Sequence, residues 1–425
     1  MIHGNKGTIY ILVALLQYLP RFCISKLKHI WLKKTESRHM LSNEFRINEA
    51  LSETADAFDP QLPVGGVFGN DKLIPAGIQM LYGGKAVLEF YAPAANSVVV
   101  HRGVSDGPVT ELQKQPDGVW TAVMDSNGEK YTTLFYEVDG VYVLNPMSPI
   151  GWSHAHPINI IDFPQDGIDY YLLRDVPHGS VARNYFYSQT CGCFKSCLVY
   201  TPPGYNKGNG ENLPVLYLQH GYGENETSWV HLGKVNWIMD NLLSEGKANP
   251  CIIVMNNGMV QTARENGSRY WDVLSIEHLL LDDCIPYIES NYRAVSDKRL
   301  RAMAGLSMGS MQTSVVTLKH PELFGYVGIF SGFLGKLKGL GDDDNSHFAA
   351  FDDKPKLFAS YKLFFRCIGD ADQFIEQFKS ETVMLKEKGL APGQWEAHKE
   401  MLYPGGHDWN VWRPCVRDFL TLVFK

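Results

Sequence analysis

From about residue 190 to the end of the chain, apolar runs typical of strands alternate with segments of helical periodicity. The runs include "PVLYLQHG" and "LFFRCIGD", and the segments between them include "MGSMQTSVVTLKH". Strands that helices cover on both faces have this nearly continuous apolar composition. The pattern therefore predicts an α/β fold over 190–425, with a mostly parallel sheet and a ligand site at the carboxyl ends of its strands.

Residues 74–160 have a different rhythm. Short runs rich in β-branched and aromatic residues, such as "AVLEFYAP" and "VWTAVM", are separated by Asp-Gly and Asn-Gly turn pairs. Regular short strands with such turns predict a small all-β sandwich. The Pro- and Gly-bearing stretch at 161–189 is predicted to be a linker on the surface.

The fold prediction does not include the first 40 residues. "IYILVALLQYLP" is too short to span a bilayer but has the length of a signal-peptide core, and the basic "RFCISKLKHIWLKK" follows in place of a cleavage site. Two interpretations stay open: a poor signal or membrane-proximal anchor of a secreted or periplasmic protein, and sequence upstream of a cytoplasmic start near Met40. Residues 41–73 are predicted to be an extension before the sandwich.

Charge and cysteine content exclude several classes of site. The net charge is −7 over 425 residues, with no evident basic face, which argues against a nucleic-acid partner. "CGCFKSC", at 191–197, lacks the usual C-x₂-C spacing of a metal site and predicts a strand with inward-facing thiols. "GDDDNSHF", at 341–348, lacks the alternating spacing of a calcium loop and predicts a solvated loop near the site entrance. Composition leaves the oligomeric state open.

Ser307 is the candidate nucleophile. It stands between Gly305 and Gly309, after the strand pattern "RLRAMAG" and before a helical segment. A sharp strand-to-helix turn of this kind needs small flanking residues, and it exposes the hydroxyl beside a helix N-terminus. In this context the backbone N–H of Met308 is one candidate donor to an oxyanion.

A serine hydroxyl needs a base and an orienting acid. His407, in "YPGGHDWNVWR", follows the last predicted strand and is the candidate base. His220 precedes the nucleophile, so we expect it to support the turn after its strand, where the backbone N–H of Tyr222 is the second candidate oxyanion donor. Asp370 and Asp372 both follow a strand between Ser307 and His407; Asp372 lies further into the loop, and Asp370 could instead cap a helix.

The blocks "LYLQHGYGENETSW", "AMAGLSMGSMQT", "IGDADQF" and "YPGGHDWNVWR" resemble the esterase D-like α/β-hydrolases, over roughly 185–425. The nearest branch is carbohydrate esterase family 1, which contains feruloyl and acetylxylan esterases. The resemblance implies Ser307 as nucleophile, Asp372 as acid and His407 as base. It also implies the backbones of Tyr222 and Met308 as the oxyanion hole. The β-rich part resembles early-set immunoglobulin-like modules, and we predict that it has a structural role at the rim of the site.

The predicted function is a serine carboxylic-ester hydrolase acting on feruloyl or acetyl esters of plant cell-wall carbohydrates. Its acyl-enzyme mechanism requires no metal and no organic cofactor. Trp229, Trp271 and Trp409 are candidates for lining a feruloyl pocket, with core packing as the alternative for each. Two other functions stay open: an enterochelin esterase, which needs basic side chains although the loops show no obvious Arg or Lys cluster, and a non-enzymatic binding or acyl-transfer protein on the same fold.

Overall fold

The computed structural model describes residues 77–81, 83–163, 165–207, 210–263, 266–335 and 345–425. The predicted N-terminal segment, the extension after it and the acidic residues of the 341–348 loop lie outside the described residues. The described residues belong to one compact unit that starts at Ile74. Within that unit, no described helix has both the length and the apolarity needed to cross a membrane.

Ten strands form two antiparallel sheets in the first part of this unit: β1 Ile78–Leu81, β2 Lys85–Tyr91, β3 Val98–Arg102, β4 Val109–Glu111, β5 Gln113–Lys114, β6 Val119–Asp125, β7 Tyr131–Val138, β8 Val141–Val143, β9 Ile150–Ser153 and β10 His156–Asp162. One sheet has the order β1-β2-β6-β5, and the other has the order β4-β3-β7-β10-β9 with β8 beside β7. The rings of Phe90 and Tyr136 meet across the two sheets with centroids 5.4 Å apart. The two sheets therefore enclose an apolar interior, as the sandwich pattern predicts.

Eight strands form the main sheet of the second part: β11 Ser180–Ser188, β12 Cys193–Thr201, β13 Val215–Gln219, β14 Ile252–Asn256, β17 Arg301–Leu306, β18 Tyr326–Phe330, β19 Leu363–Gly369 and β20 His398–Tyr403. The order is β11-β12-β14-β13-β17-β18-β19-β20, parallel from β14 to β20 and antiparallel at β11 and β12. A separate hairpin pairs β15, Gln261–Ala263, with β16, Arg269–Trp271. The predicted α/β fold with a mostly parallel sheet is confirmed.

Helices pack against the main sheet: α1 Ser228–His231, α2 Val235–Ser244, α3 Ile276–His278, α4 Ile285–Asn291, α5 Met308–Lys319, α6 Lys354–Ser360, α7 Ile375–Glu387 and α8 Trp409–Leu422. A π-helical turn over Leu279–Cys284 joins α3 to α4. Every residue of the central strands β13, β14, β17, β18 and β19 is buried. Burial on both faces explains why these strands carry continuous apolar runs instead of an alternating pattern.

The structure differs from the sequence-based prediction at the linker. Residues Ser180–Ser188, inside the predicted linker, form β11 and pair along their whole length with β12. Most side chains of this edge strand are exposed, so its sequence carries neither an apolar run nor a clear alternation. The "CGCFKSC" segment enters β12 with Cys191 and Cys197 buried. Across the described residues, no three His, Cys, Asp or Glu side chains are grouped to hold a metal ion.

The turn between β17 and α5 is as sharp as the sequence predicts. Ser307 is the single residue between them, with φ 51° and ψ −119°, a conformation that costs a non-glycine residue about 1–3 kcal/mol. Its N–H donates to the carbonyl of Phe330 at 3.1 Å, and its carbonyl accepts from the hydroxyl of Ser310 at 2.5 Å. Neighbouring strand and helix therefore hold the strained residue in place.

Two glycines make this turn possible. A Cβ on Gly305 would lie 2.4 Å from the carbonyl oxygen of Gly309, and a Cβ on Gly309 would lie 2.6 Å from that of His220. Both distances are far inside van der Waals contact, and the atoms met are backbone atoms that cannot turn aside. The close approach of strand and helix thus requires glycine at both positions.

We predict that Gly305→Ala lowers the free energy of unfolding by about 1–3 kcal/mol, because the methyl group forces the backbone of α5 away from β17. Urea denaturation of both proteins measures the change. Gly406→Ala is the matched control, since its Cβ would meet nothing closer than 3.9 Å. Equal stability of Gly305→Ala and wild type would contradict the proposed close packing.

Candidate active site

The structure brings three predicted residues into one hydrogen-bonded chain. His407 Nε2 lies 2.9 Å from Ser307 Oγ, and His407 Nδ1 lies 2.8 Å from Asp372 Oδ2. The arrangement fits the tautomer in which Nδ1–H donates to the carboxylate and Nε2 accepts the serine proton. These residues follow β17, β19 and β20, so the hydrogen-bonded triad lies at the carboxyl ends of three parallel strands of the main sheet, with β18 between β17 and β19.

Neighbouring groups fix the positions of Asp372 and His407. Asp372 is buried, and its second oxygen accepts from the N–H of Phe374 at 2.9 Å. Two rings meet the imidazole of His407 edge to face, Phe374 at 5.0 Å and Trp412 at 5.2 Å between centroids. These contacts restrict rotation of the imidazole and keep both of its nitrogens directed at their partners.

The two neighbouring aspartates that could be mistaken for the acid have other contacts. Asp370 is exposed, and its carboxylate accepts from the N–H of Gly405 at 3.0 Å, so it supports the loop that carries His407. Asp408 accepts from the N–H of Asn410 at 2.7 Å and caps α8. Of the two candidates left open by the sequence, Asp372 alone contacts His407.

Two backbone amides are available beside Ser307. In the described part of the chain, neither the N–H of Tyr222 nor that of Met308 has a hydrogen-bond acceptor. Met308 is the first residue of α5, where the helix dipole adds partial positive charge. Unsatisfied N–H groups at a helix start and in a neighbouring loop form a site suited to a developing oxyanion.

His220 supports the loop that carries Tyr222. One ring nitrogen pairs with the carbonyl of Gly221 at 2.8 Å, and the other accepts from the N–H of Gly258 at 2.9 Å. Burial lowers the pKa of His220 to about 4, so the imidazole stays neutral at physiological pH and retains both bonds. This geometry matches the structural role predicted for it.

Glu224 is a buried carboxyl in the same loop that sequence reasoning missed. Its oxygens accept from the N–H of Gly221 at 2.9 Å and from the indole N–H of Trp409 at 3.2 Å. Burial raises the pKa of Glu224 to about 7. The side chain therefore ties the Tyr222 loop to the start of α8. Its sequence context, "HGYGENE", has no periodicity that could have marked it as buried.

The sandwich forms one wall of the cavity in which Ser307 lies. This cavity has a volume of about 670 Å³ and is lined by residues of both parts of the chain. On the sandwich side, the β9–β10 turn places His154 and Ala155 at φ 53° and 64°, and the N–H of Ala155 donates to the carbonyl of Gly223 at 2.7 Å. Turns with two positive φ values favour Asn-Gly, so the sequence "SHAH" does not predict the β9–β10 turn.

The predicted tryptophans occupy three different environments. Trp409 lines the cavity, with its indole held by Glu224. Trp229 is 1% exposed and donates to the carbonyl of Gln219 at 2.9 Å, so it packs in the core and does not line the cavity. Trp271 is exposed and meets the ring of Tyr222 edge to face at 5.5 Å, outside the cavity lining among the described residues.

Replacing the carboxylate of Asp372 by an amide should remove the preference for the Nδ1–H tautomer of His407 but keep a hydrogen bond between the two side chains. We predict that Asp372→Asn lowers kcat for p-nitrophenyl acetate by about four orders of magnitude, because the amide no longer favours Nδ1–H on His407. Stopped-flow or steady-state release of p-nitrophenol measures the loss. Asp370→Asn is the matched control and should stay within a few-fold of wild type. Similar losses in both variants would refute the distinction between the two aspartates.

The environment of Glu224 predicts a pH-dependent stability. The carboxyl changes from an ordinary pKa of 4.5 in the unfolded chain to about 7 in the folded chain. A raised carboxyl pKa means that its contribution is fully present below pH 4.5 and is lost as the pH rises through 7. Compared with wild type, Glu224→Gln should therefore gain about 3 kcal/mol of unfolding free energy between pH 4.5 and pH 8. Urea titrations of both proteins at several pH values measure this gap; parallel pH profiles would contradict it.

Comparisons with known proteins identify the family of the chain. Residues 188–419 match the Esterase family model. The endo-1,4-beta-xylanase/feruloyl esterase of Xylanibacter ruminicola is 33% identical over 347 residues, which are 80% of this chain and 45% of that protein. The chain thus spans about half the length of that relative.

Solved structures show the same fold. A ferulic acid esterase has a TM-score of 0.50 at 24% identity, over 57% of this chain and 97% of that chain. The enterobactin esterase of Shigella flexneri has a TM-score of 0.55 at 14% identity, over 81% of this chain and 94% of that chain. Because the family match covers more than half of the chain, the protein belongs to the esterase family, with the α/β-hydrolase fold that its sequence predicts.

Proposed function

We propose that this protein is a serine esterase that hydrolyses feruloyl or acetyl esters of plant cell-wall carbohydrates. The observation that carries the proposal is the Ser307–His407–Asp372 triad, with distances of 2.9 and 2.8 Å, beside two amides that donate to no described residue. A relative named as a xylanase/feruloyl esterase, 33% identical, supports the substrate class.

The geometry supports an acyl-enzyme mechanism. Ser307 Oγ attacks the ester carbonyl while His407 Nε2 takes its proton, and Asp372 stabilises the imidazolium that forms. The N–H groups of Tyr222 and Met308 donate to the tetrahedral oxyanion; each such donor is worth about 2.7–4 kcal/mol in the transition state. His407 then protonates the departing sugar alcohol. A water molecule that His407 deprotonates hydrolyses the acyl-enzyme and restores Ser307.

The cavity wall favours an aromatic acyl group over an anionic ligand. Its aromatic residues offer flat apolar surface with polar edges, and they are Tyr131, Tyr222, Trp409 and Trp412. Its solvent-accessible acids are Glu129 and Asp408, the buried Glu224 is only partly charged near pH 7, and no Lys or Arg is found among the described lining residues. A trianionic ferric siderophore would meet repulsion here, which disfavours the enterochelin esterase alternative.

The test is hydrolysis of methyl ferulate, acetylated xylan and a siderophore ester by wild type and by Ser307→Ala. We expect turnover of the first or second ester, and we expect Ser307→Ala to reduce it by about 10⁶-fold, since nucleophile and base act as one unit. Chromatography of the released acids measures the rates.

Two results would refute the proposal. Equal rates for wild type and Ser307→Ala would remove the proposed nucleophile. Hydrolysis confined to the siderophore ester would keep the mechanism but overturn the proposed substrate class.

A further inference from the structure

The strand β11 is an edge of the main sheet that no described strand covers. Over Ser180–Ser188 it pairs with β12 on one side, in a register without a bulge. Natural edge strands usually carry lysine, proline or a bulge that blocks further pairing. β11 contains no lysine and no proline, and its one charged residue, Arg183, is paired with Glu226 at 2.9 Å; β20, at the other edge, contains Lys399 and Glu400. The outer side of β11 therefore offers about 30 Å of edge to another strand.

One face of this edge is also apolar. Val181, Tyr185 and Tyr187 are separated by even numbers of residues, so they lie on the same face of β11, and they are 37%, 63% and 50% exposed. Phe194 of β12 lies opposite Tyr187, is 73% exposed, and meets the ring of Tyr187 at 5.5 Å between centroids. Large apolar side chains that are exposed together mark an interaction surface.

Contacts on the opposite face hold β11 in its extended form. The side-chain oxygen of Asn184 accepts from the hydroxyls of Tyr287 and Tyr292 at 3.3 and 3.0 Å. The ring of Phe186 stacks on that of Tyr287 at 5.4 Å between centroids. The edge is thus ordered before a partner binds, and a preformed edge loses little further conformational entropy when a strand is added to it.

The sequence of β11 is complementary to itself in an antiparallel pairing. A two-fold axis through Asn184 would pair all nine residues of the strand and place Val181 opposite Tyr187 of the second copy. It would also place Arg183 opposite Tyr185 of the second copy, on the same face. Aromatic residues pair favourably with β-branched residues and with arginine across neighbouring strands. Each of these contacts occurs twice in a symmetric dimer.

The orientation of the rings disfavours a polysaccharide on this surface. A sugar ring packs on the flat face of an aromatic side chain, and successive sugars need faces that are nearly coplanar. The ring planes of Tyr187 and Phe194 are 86° apart, so the pair presents no common flat face. A second strand, by contrast, uses the backbone edge and the alternating side chains together.

We propose that β11 is the interface of a homodimer, in which the eight-stranded sheets of two copies join into one continuous sheet through antiparallel β11 strands. The proposal does not depend on the proposed function. The strands β12, β14 and β13 lie between β11 and β17, so the interface leaves Ser307 accessible. Antiparallel pairing directs the carboxyl ends of the parallel strands, and with them the two cavities, toward opposite ends of the joined sheet.

Sedimentation velocity of the full chain measures its mass in solution. We expect a dimer, with twice the 47.8 kDa of one chain. Val181→Lys and Tyr187→Glu each place an unpaired charge against an apolar residue of the second copy, at both symmetric contacts. Each single variant should therefore raise the dissociation constant of the dimer by about 100-fold or more.

The double variant V181K/Y187E tests the register. The ammonium group introduced at 181 then lies opposite the carboxylate introduced at 187 of the other copy, and at least about 10-fold of the lost affinity should return. The two positions are about 20 Å apart within one strand, so an ion pair inside one copy cannot restore the dimer.

Leu402→Lys is the matched control. Leu402 is 60% exposed on β20, the opposite edge strand of the same sheet, so the dimer should dissociate as in wild type. Circular dichroism and thermal melting show whether each variant folds.

A wild type that stays monomeric at about 100 μM would overturn the proposal. In that monomer, slow hydrogen exchange at 180–188 would assign the edge to another segment of the same chain, and xylan binding that Tyr187→Glu abolishes would assign the rings to carbohydrate. A dimer that Leu402→Lys dissociates, or that neither Val181→Lys nor Tyr187→Glu weakens, would also overturn it. A double variant that binds no more tightly than the single variants would overturn the proposed register.

Discussion

The close approach of β17 and α5 is the constraint on which the site depends. The chain changes from strand to helix at one residue, and backbone packs on backbone where Gly305 and Gly309 leave room. This packing keeps Ser307 in a conformation that it would not adopt alone, with its hydroxyl in front of the helix N-terminus. The stability of the parallel sheet behind Ser307 offsets the strain at this one residue.

Two buried carboxyl groups hold different parts of the site in place. Asp372 orients His407, and Glu224 holds the loop of Tyr222 through the N–H of Gly221. Glu224 also binds Trp409, whose ring packs against that of Trp412 at 5.2 Å, and Trp412 in turn contacts His407. The groups that move the proton and the groups suited to receive negative charge are therefore parts of one packed cluster.

Sequence reasoning succeeded where chemistry is local. The strand–Ser307–helix context and the order of the blocks with Asp372 and His407 predicted residues that the structure brings together. It failed where burial depends on distant contacts. Glu224 reads as a polar loop residue, and Tyr131 reads as an ordinary strand residue, because the elements that cover them lie far away along the chain. The exposed edge strand β11 was missed for the opposite reason, since little of it is buried.

The β9–β10 turn has a consequence for how such a protein can be divided. His154 and Ala155 hold costly backbone conformations, and the amide of Ala155 binds the loop next to the one that carries the nucleophile. The boundary between the two architectures thus runs through the cavity instead of around it. A module exchange at residue 190 would transfer the nucleophile without one wall of its cavity, so the two parts of this protein need to be engineered together.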